Sequence, residues 1–189
     1  MVIEAEAAQI TVSRGDHGWE PGNELPGFSG LGYMITLPDR GTVADRDVTL
    51  TSPELRFLVE FRAAGTYAIS IRGWASDGAS DSVWIGLDDD AEGRIMKVEG
   101  FELGAWSWSA PRPVLEIPQP GIHVIHVWMR EDGLAIDQIA LAPESPLSRT
   151  PAPNGDAVPQ ATGAGGVRTP VPSIVGDGTG GPAAGPNRT

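Results

Sequence analysis

The chain has 189 residues, no cysteine and a formal net charge of −12 at pH 7. That length predicts one domain with an appendage. The missing cysteines exclude a disulfide framework and thiol chemistry. An acidic chain with no basic stripe excludes a nucleic-acid backbone as partner, and no run of about 18 apolar residues is present to cross a membrane as a helix.

The N-terminus, MVIEAEAAQI, has neither the basic region nor the apolar core of a signal peptide. It enters a strand at once, which predicts a piece of a longer secreted protein, or one whose export signal is missing from this sequence. The expected place of work is extracellular or at the cell surface. In this first strand Glu4 and Glu6 stand two residues apart, so both point to the same side. Residues 13–32, SRGDHGWEPGNELPGFSGLG, are too rich in Gly, Pro and polar residues for regular structure and predict a long loop. A loop of that length in a compact domain is often functional. Residues 33–37 form a short strand closed by Pro38-Asp39-Arg40-Gly41, a turn signal.

Leu55, Phe57, Val59 and Phe61 alternate with Arg56, Glu60 and Arg62, the pattern of a half-buried strand. Ala64-Gly65 turns the chain, and Tyr67, Ile69 and Ile71 resume the alternation, so a hairpin is expected here. A run of small turn residues at 75–81 leads to a strand at 82–88, and a weaker strand covers 94–98. Trp106-Ser107-Trp108 and residues 113–117 follow. Residues 121–142, GIHVIHVWMREDGLAIDQIALA, then read as two strands joined by a charged turn at Arg130-Glu131-Asp132-Gly133. The first of the two is apolar on both parities, which marks a strand covered on both faces. No segment keeps a helical period over three turns. Eight or nine short strands between Gly/Pro turns predict an all-β antiparallel sandwich over 1–142. Residues 143–189 contain no aromatic residue, and their charges cancel. Pro, Gly, Ala and Thr dominate there, a composition that cannot bury enough apolar surface to offset its ordering entropy and that predicts a disordered linker or tail.

Asp137 is an acid inside an otherwise apolar strand and needs a partner, because an unpaired buried carboxylate costs several kcal/mol or neutralises. With the first and last strands paired, Glu4, Glu6 and Asp137 meet at one edge and repel unless a cation sits among them. Oxygen-only ligands select a hard cation such as Ca²⁺. The chain has 6 tryptophans. Trp106 and Trp108 share a parity in a loop context, and aromatic rings of this kind stack on the apolar C–H faces of pyranoses. Arg130, Glu131 and Asp132 offer a planar fork and carboxylates for hydroxyl groups; an ordinary charged turn reads equally well. Asp77, Asp81, Asp88, Asp89 and Asp90 lack the D-x-[DN]-x-[DN]-G spacing of a calcium loop and read as solvated loop acids, with Ser82 bonded to loop backbone. His123 and His126 fall on opposite faces of a strand and cannot share a metal. No nucleophile motif of the G-x-S-x-G type is present, and no second acid is positioned for a glycosidase pair. The residues thus predict a non-catalytic domain; a protein-contact, adhesion or spacer role stays open beside sugar binding, with an accessory part of a glycoside hydrolase or lyase behind both.

The order of features along 2–142 resembles carbohydrate-binding modules of the family 6 and 35 type, β-jelly-roll (galactose-binding-like) domains appended to polysaccharide-active enzymes. The features are I-E-A-E at the start, G-x-S/G-x-G-Y, F-R-A-x-G-T-Y, S-D-S-V-W-I-G-L-D, W-x-W and G-x-H-x-x-x-x-W-M-R-E-D-G-x-x-I-D-x-I-x-L. The resemblance implies a structural calcium held by Glu4, Glu6 and Asp137. It also implies a loop-end cleft for a polysaccharide or oligosaccharide, flanked by Trp106 or Trp108 and by Tyr33 and Trp19. An Asn expected shortly before the last-strand Asp is replaced by Leu134-Ala135, which shifts that contact to the REDG turn.

Overall fold

The computed structural model describes residues 1–88 and 94–144. Twelve strands are present among them: β1 Val2–Glu4, β2 Ile10–Val12, β3 Gly18–Gly22, β4 Tyr33–Leu37, β5 Glu54–Phe61, β6 Gly65–Trp74, β7 Val83–Leu87, β8 Met96–Val98, β9 Trp106–Trp108, β10 Val114–Ile117, β11 Gly121–Met129 and β12 Ala135–Pro143. They form two antiparallel sheets. One has seven strands in the order β10-β6-β12-β4-β3, with β1 on β12 and β9 on β6; the other has five, β2-β5-β11-β7-β8. The only helical pieces described are a 3₁₀ turn at Ala5–Ala7 and one turn, α1, at Val48–Thr51. No described helix is long and apolar enough to cross a membrane.

The alternation in the sequence decides which side chains fill the space between the sheets. Leu55, Phe57 and Phe61 of β5, Ile69 and Ile71 of β6, Ile125 and Val127 of β11, and Ile136 and Ile139 of β12 form one core cluster. Each Leu, Ile or Phe so buried contributes about 1.5–3 kcal/mol relative to exposure. Alternation does not say which strand lies alongside, and both expected hairpins are corrected on that point. β5 belongs to the five-stranded sheet and β6 to the seven-stranded one, and the same separation holds for β11 and β12. The turns at 62–64 and 130–134 therefore carry the chain from one sheet to the other. β11 lies between β5 and β7. Its outer face is covered at one end only, where Trp128 lies under Val48, Trp84 and Ile95. At the other end Ile122 is exposed.

The long loop expected over 13–32 is interrupted by β3, which pairs with β4 from Gly18↔Leu37 to Gly22↔Tyr33. GWEPG has no alternation to reveal it. It survives as a strand because it is the edge of its sheet, where Pro21 need not donate to a ladder, and because Gly22 allows the Tyr33 ring to lie where a Cβ would stand 2.3 Å from Cε2. The last strand continues to Pro143, and Glu144 N donates to Thr66 O at 2.8 Å. The rest of the expected tail, 145–189, lies outside the described residues, as do Asp89 and Asp90.

Buried acids tie the loops down. Asp132, fully buried, accepts from the backbone N–H groups of Arg40, Gly41 and Thr42 at 2.9–3.0 Å and faces His17 Nε2 at 3.0 Å. Burial alone would push its carboxyl up, but these donors outweigh it and hold it below the usual range. Glu54 sits on the outer face of the five-stranded sheet with only 1 % exposure and is bonded by Arg14, Arg56 and His126. Burial works against its charge, yet the His126, Arg56 and Arg14 bonds bring it from 4.5 down to about 2. A depressed carboxyl stabilises the fold above its unfolded value and loses that contribution as pH falls through the folded one. Glu54 is therefore expected to contribute about 3 kcal/mol at pH 6, lost between about pH 4.5 and about pH 2. Urea midpoints measured down that range should fall less steeply in Glu54→Gln than in the parent; parallel curves would remove Glu54 from the account.

Candidate functional site

On β6, Ile69 and Ile71 point into the core, so Arg72 and Trp74 stand on opposite faces from their neighbours, with Arg72 in the outer row. The short strand β9 lies against this part of β6 with Trp108 opposite Arg72 and Trp106 opposite Trp74. On the other side of β6, Gln138 of β12 is opposite Arg72 and Ala135 opposite Trp74. The pairing gathers Trp108, Arg72 and Gln138 into one row across three strands, with Trp106 and Trp74 in the next. Trp108 is 42 % exposed. Trp106 is half-buried: its ring meets Tyr33 at 5.4 Å and Trp74 at 5.8 Å between centroids, and Arg72 Cζ lies 5.5 Å above it. Its indole N–H donates to Pro26 O at 3.1 Å. Phe28 packs edge-on to Tyr33 at 5.9 Å. Trp106 and Trp108 are thus brought together with Arg72, Trp74, Gln138 and Phe28, none of which the sequence reading singled out. The parity of β6 was the signal for Arg72; nothing local marked Phe28.

The partner of Asp137 is Arg72, whose Nη1 bonds Oδ2 while Nη2 donates to Gly27 O at 3.0 Å. Ser29 N donates to Asp137 Oδ1 at 2.9 Å. Asp137 is fully buried, and burial, with the charge of Glu4, pushes its carboxyl up against the Ser29 and Arg72 bonds. Compensation for Asp137 therefore comes from a guanidinium and an amide, and its burial by itself no longer requires a cation.

Glu4 and Glu6 do converge on the same loop, by a different route from the one expected. β1 pairs with β12, Glu4 opposite Gln138, but the strand ends at Glu4 and the 3₁₀ turn carries Glu6 round. Glu4 Oε1 accepts from Ser29 Oγ at 3.2 Å and Gln138 Nε2 at 2.9 Å, and Glu6 Oε1 accepts from Leu31 N at 2.8 Å. A Cβ on Gly30 would lie 2.4 Å from Glu6 Oε1 and 3.2 Å from Glu4 Oε2. The remaining oxygens, Glu4 Oε2 and Glu6 Oε2, are buried with no hydrogen-bond partner. Two acceptor-only oxygens left unpaired out of water match what a hard cation would satisfy. Among the described residues no three His, Cys, Asp or Glu side chains form a metal cluster by themselves, so such an ion would take further oxygens from backbone or water.

The other expected site residues lie elsewhere. Trp19 is part of the core and Tyr33 is 4 % exposed beneath Trp106; neither ring offers a free face. Arg130, Glu131 and Asp132 sit at the corner between the sheets, not at a hairpin tip. Arg130 lies 5.7 Å over the Trp84 ring and pairs with Asp45 at 3.0 Å and Glu131 at 2.5 Å. Glu131 is 7 % exposed and accepts from Ser82 Oγ at 2.6 Å and Asp81 N at 3.1 Å. Ser82 thus bonds a side chain rather than loop backbone, and the hydrogen-bonding capacity of Glu131 and Asp132 is spent inside the protein. His123 and His126 do part company: the first meets Asp88 and Gln119, the second Glu54.

No protein-family model and no curated protein matches this chain, whereas solved structures do. The Podospora anserina GH26-CBM35 β-(1,4)-mannanase is 23 % identical at a TM-score of 0.56, covering 82 % of this chain and 31 % of its own. A family 35 carbohydrate-binding module from Clostridium thermocellum is 21 % identical at 0.53, covering 76 % of this chain and 98 % of its own. The exo-β-1,3-galactanase of Phanerochaete chrysosporium is 16 % identical at 0.51, covering 75 % and 29 %. The chain thus spans the whole of an isolated module and less than a third of either enzyme. These are likenesses of fold, and the fold is the expected β-sandwich.

Removing the guanidinium would leave Asp137 buried without its charge partner. Arg72→Met is expected to cost about 3–5 kcal/mol, read as a drop in the urea midpoint; a loss under about 1 kcal/mol would mean that Ser29 N and hydration suffice.

Proposed function

We propose that this chain is a non-catalytic polysaccharide-binding module, with sugar rings stacking on Trp108 along the outer face of the seven-stranded sheet. The observation that carries this reading is the exposure of Trp108, 42 %, in register with Arg72. An indole ring open to solvent offers an apolar face to pyranose C–H groups, and among the described residues Trp108 is the only tryptophan among the exposed large apolar side chains. Gln138, one strand further along the row, supplies a planar amide able to choose among hydroxyl geometries. Trp106 acts beneath them, held by Tyr33 and Pro26 O, so it stiffens the platform more than it touches the ligand. Tyr33, Trp19, Glu131 and Asp132 then belong to the scaffold, and Arg130 to the Trp84 corner. The likeness of fold to a carbohydrate-binding module supports the class of function without naming the sugar.

Calcium belongs to the proposal as a structural ion. Glu4 and Glu6 would hold it through their unpartnered oxygens, and when bound it would cancel the repulsion between two carboxylates beside a third, Asp137. A place outside the cell and a tether to a catalytic or surface domain complete the reading.

Affinity gel electrophoresis against mannan, galactan, β-glucan, xylan and pectin tests it. Trp108→Ala is expected to weaken retardation at least tenfold, about 1.4 kcal/mol, at an unchanged melting temperature because the ring is exposed. Equal retardation of parent and variant would move the site off this face. No retardation by any glycan would end the reading.

A further inference from the structure

Residues 26–31 cross from the aromatic face to the acidic cluster, and their position is set by side chains at both ends. At one end Pro26 O accepts from Trp106 Nε1 at 3.1 Å, Gly27 O accepts from Arg72 Nη2 at 3.0 Å, and the Phe28 ring lies 5.9 Å from Tyr33. At the other end Ser29 N donates to Asp137, Ser29 Oγ to Glu4 and Leu31 N to Glu6. Between them Gly30, at φ +64°, brings the backbone so close to Glu4 and Glu6 that a side chain would collide with their oxygens. The segment lies between the end of β3 and the start of β4 and belongs to no strand. Arg72 closes the circuit, since the guanidinium that bonds Asp137 also lies over the Trp106 ring.

We infer that residues 26–31 form a strap that couples a divalent cation at Glu4 and Glu6 to the aromatic face, so that cation and glycan raise each other's affinity. This rests on the glycan-binding reading above. The two carboxylates use Oε1 to accept from the strap and leave Oε2 buried and unpaired. A cation on the unpaired oxygens removes the repulsion between the carboxylates and holds both turned toward Ser29 and Leu31. The strap is then fixed, and with it the two carbonyls that orient Trp106 and Arg72. A ligand resting on that face requires the same orientation and so favours the loaded cluster. Linkage demands that the two effects be equal.

The test uses the full chain, stripped with chelator and titrated with calcium chloride. The indole N–H resonance of Trp106, assigned through Trp106→Phe, should shift as calcium binds, because its acceptor is the strap's own Pro26 carbonyl. The glycan retarded most strongly should bind at least about fivefold tighter with calcium than with chelator, and calcium should bind tighter by the same factor when that glycan is present. Ser29→Ala, which removes one strap contact to Glu4, should shrink both factors together. Calcium binding with a motionless Trp106 resonance, or no calcium binding at all, overturns the coupling. So does a glycan affinity indifferent to calcium, and that outcome leaves the glycan-binding reading standing. Failure of the latter looks different: calcium shifts the resonance but no glycan is retarded in either condition, which overturns the linkage by removing its second ligand.

Discussion

A carboxylate with no exposed surface stands in the middle of a sheet at Asp137, and the arrangement around it follows from the need to compensate it. Arg72 reaches it from the neighbouring strand and Ser29 from a loop more than a hundred residues away in sequence. Because Arg72 must lie across the outer face to do so, the ring of Trp106 finds a guanidinium above it. Because Ser29 must bring its amide in, the loop before β4 is drawn over that ring. One electrostatic requirement thus shapes a loop, orients an aromatic side chain and leaves two further carboxylates, Glu4 and Glu6, close to the same point.

The same physics recurs at the corner between the sheets. Asp132 and Glu131 come from a run of charges that resembles an exposed turn, yet both are buried and each accepts several hydrogen bonds from loops distant in sequence. In a sandwich with short strands and long connections, the loops have few apolar side chains with which to anchor themselves. A carboxylate accepting from three consecutive backbone N–H groups does that work, at the cost of desolvation that its donors offset. Part of the chain's acidity is therefore structural, and the charge total cannot be read as a measure of its solvated surface.

The division between scaffold and face follows from these anchors. The two inner faces supply the core, the corner acids hold the ends, and the outer face of the seven-stranded sheet is left with an exposed indole beside polar side chains. Other chains with this fold are parts of enzymes or stand alone as a module, so the fold by itself does not fix function, which lies in the side chains of particular sites.

Sequence alone determined the class of fold, the inward rows of β5 and β6, and the presence of an acid at 137 in need of a partner. Each of these follows from local chemistry: alternation records which side of a strand is buried, glycine and proline record where the chain turns, and a lone charge in an apolar run records a debt. Only the tertiary structure decided that the turns at 62–64 and 130–134 pass between sheets, that GWEPG is an edge strand, that Trp19 and Tyr33 are buried while Trp108 is not, and that Arg72 answers Asp137. Alternation is indifferent to which neighbour completes the ladder, and a side chain's exposure depends on what crosses above it. Both are settled by contacts between residues tens of positions apart, which no local pattern carries.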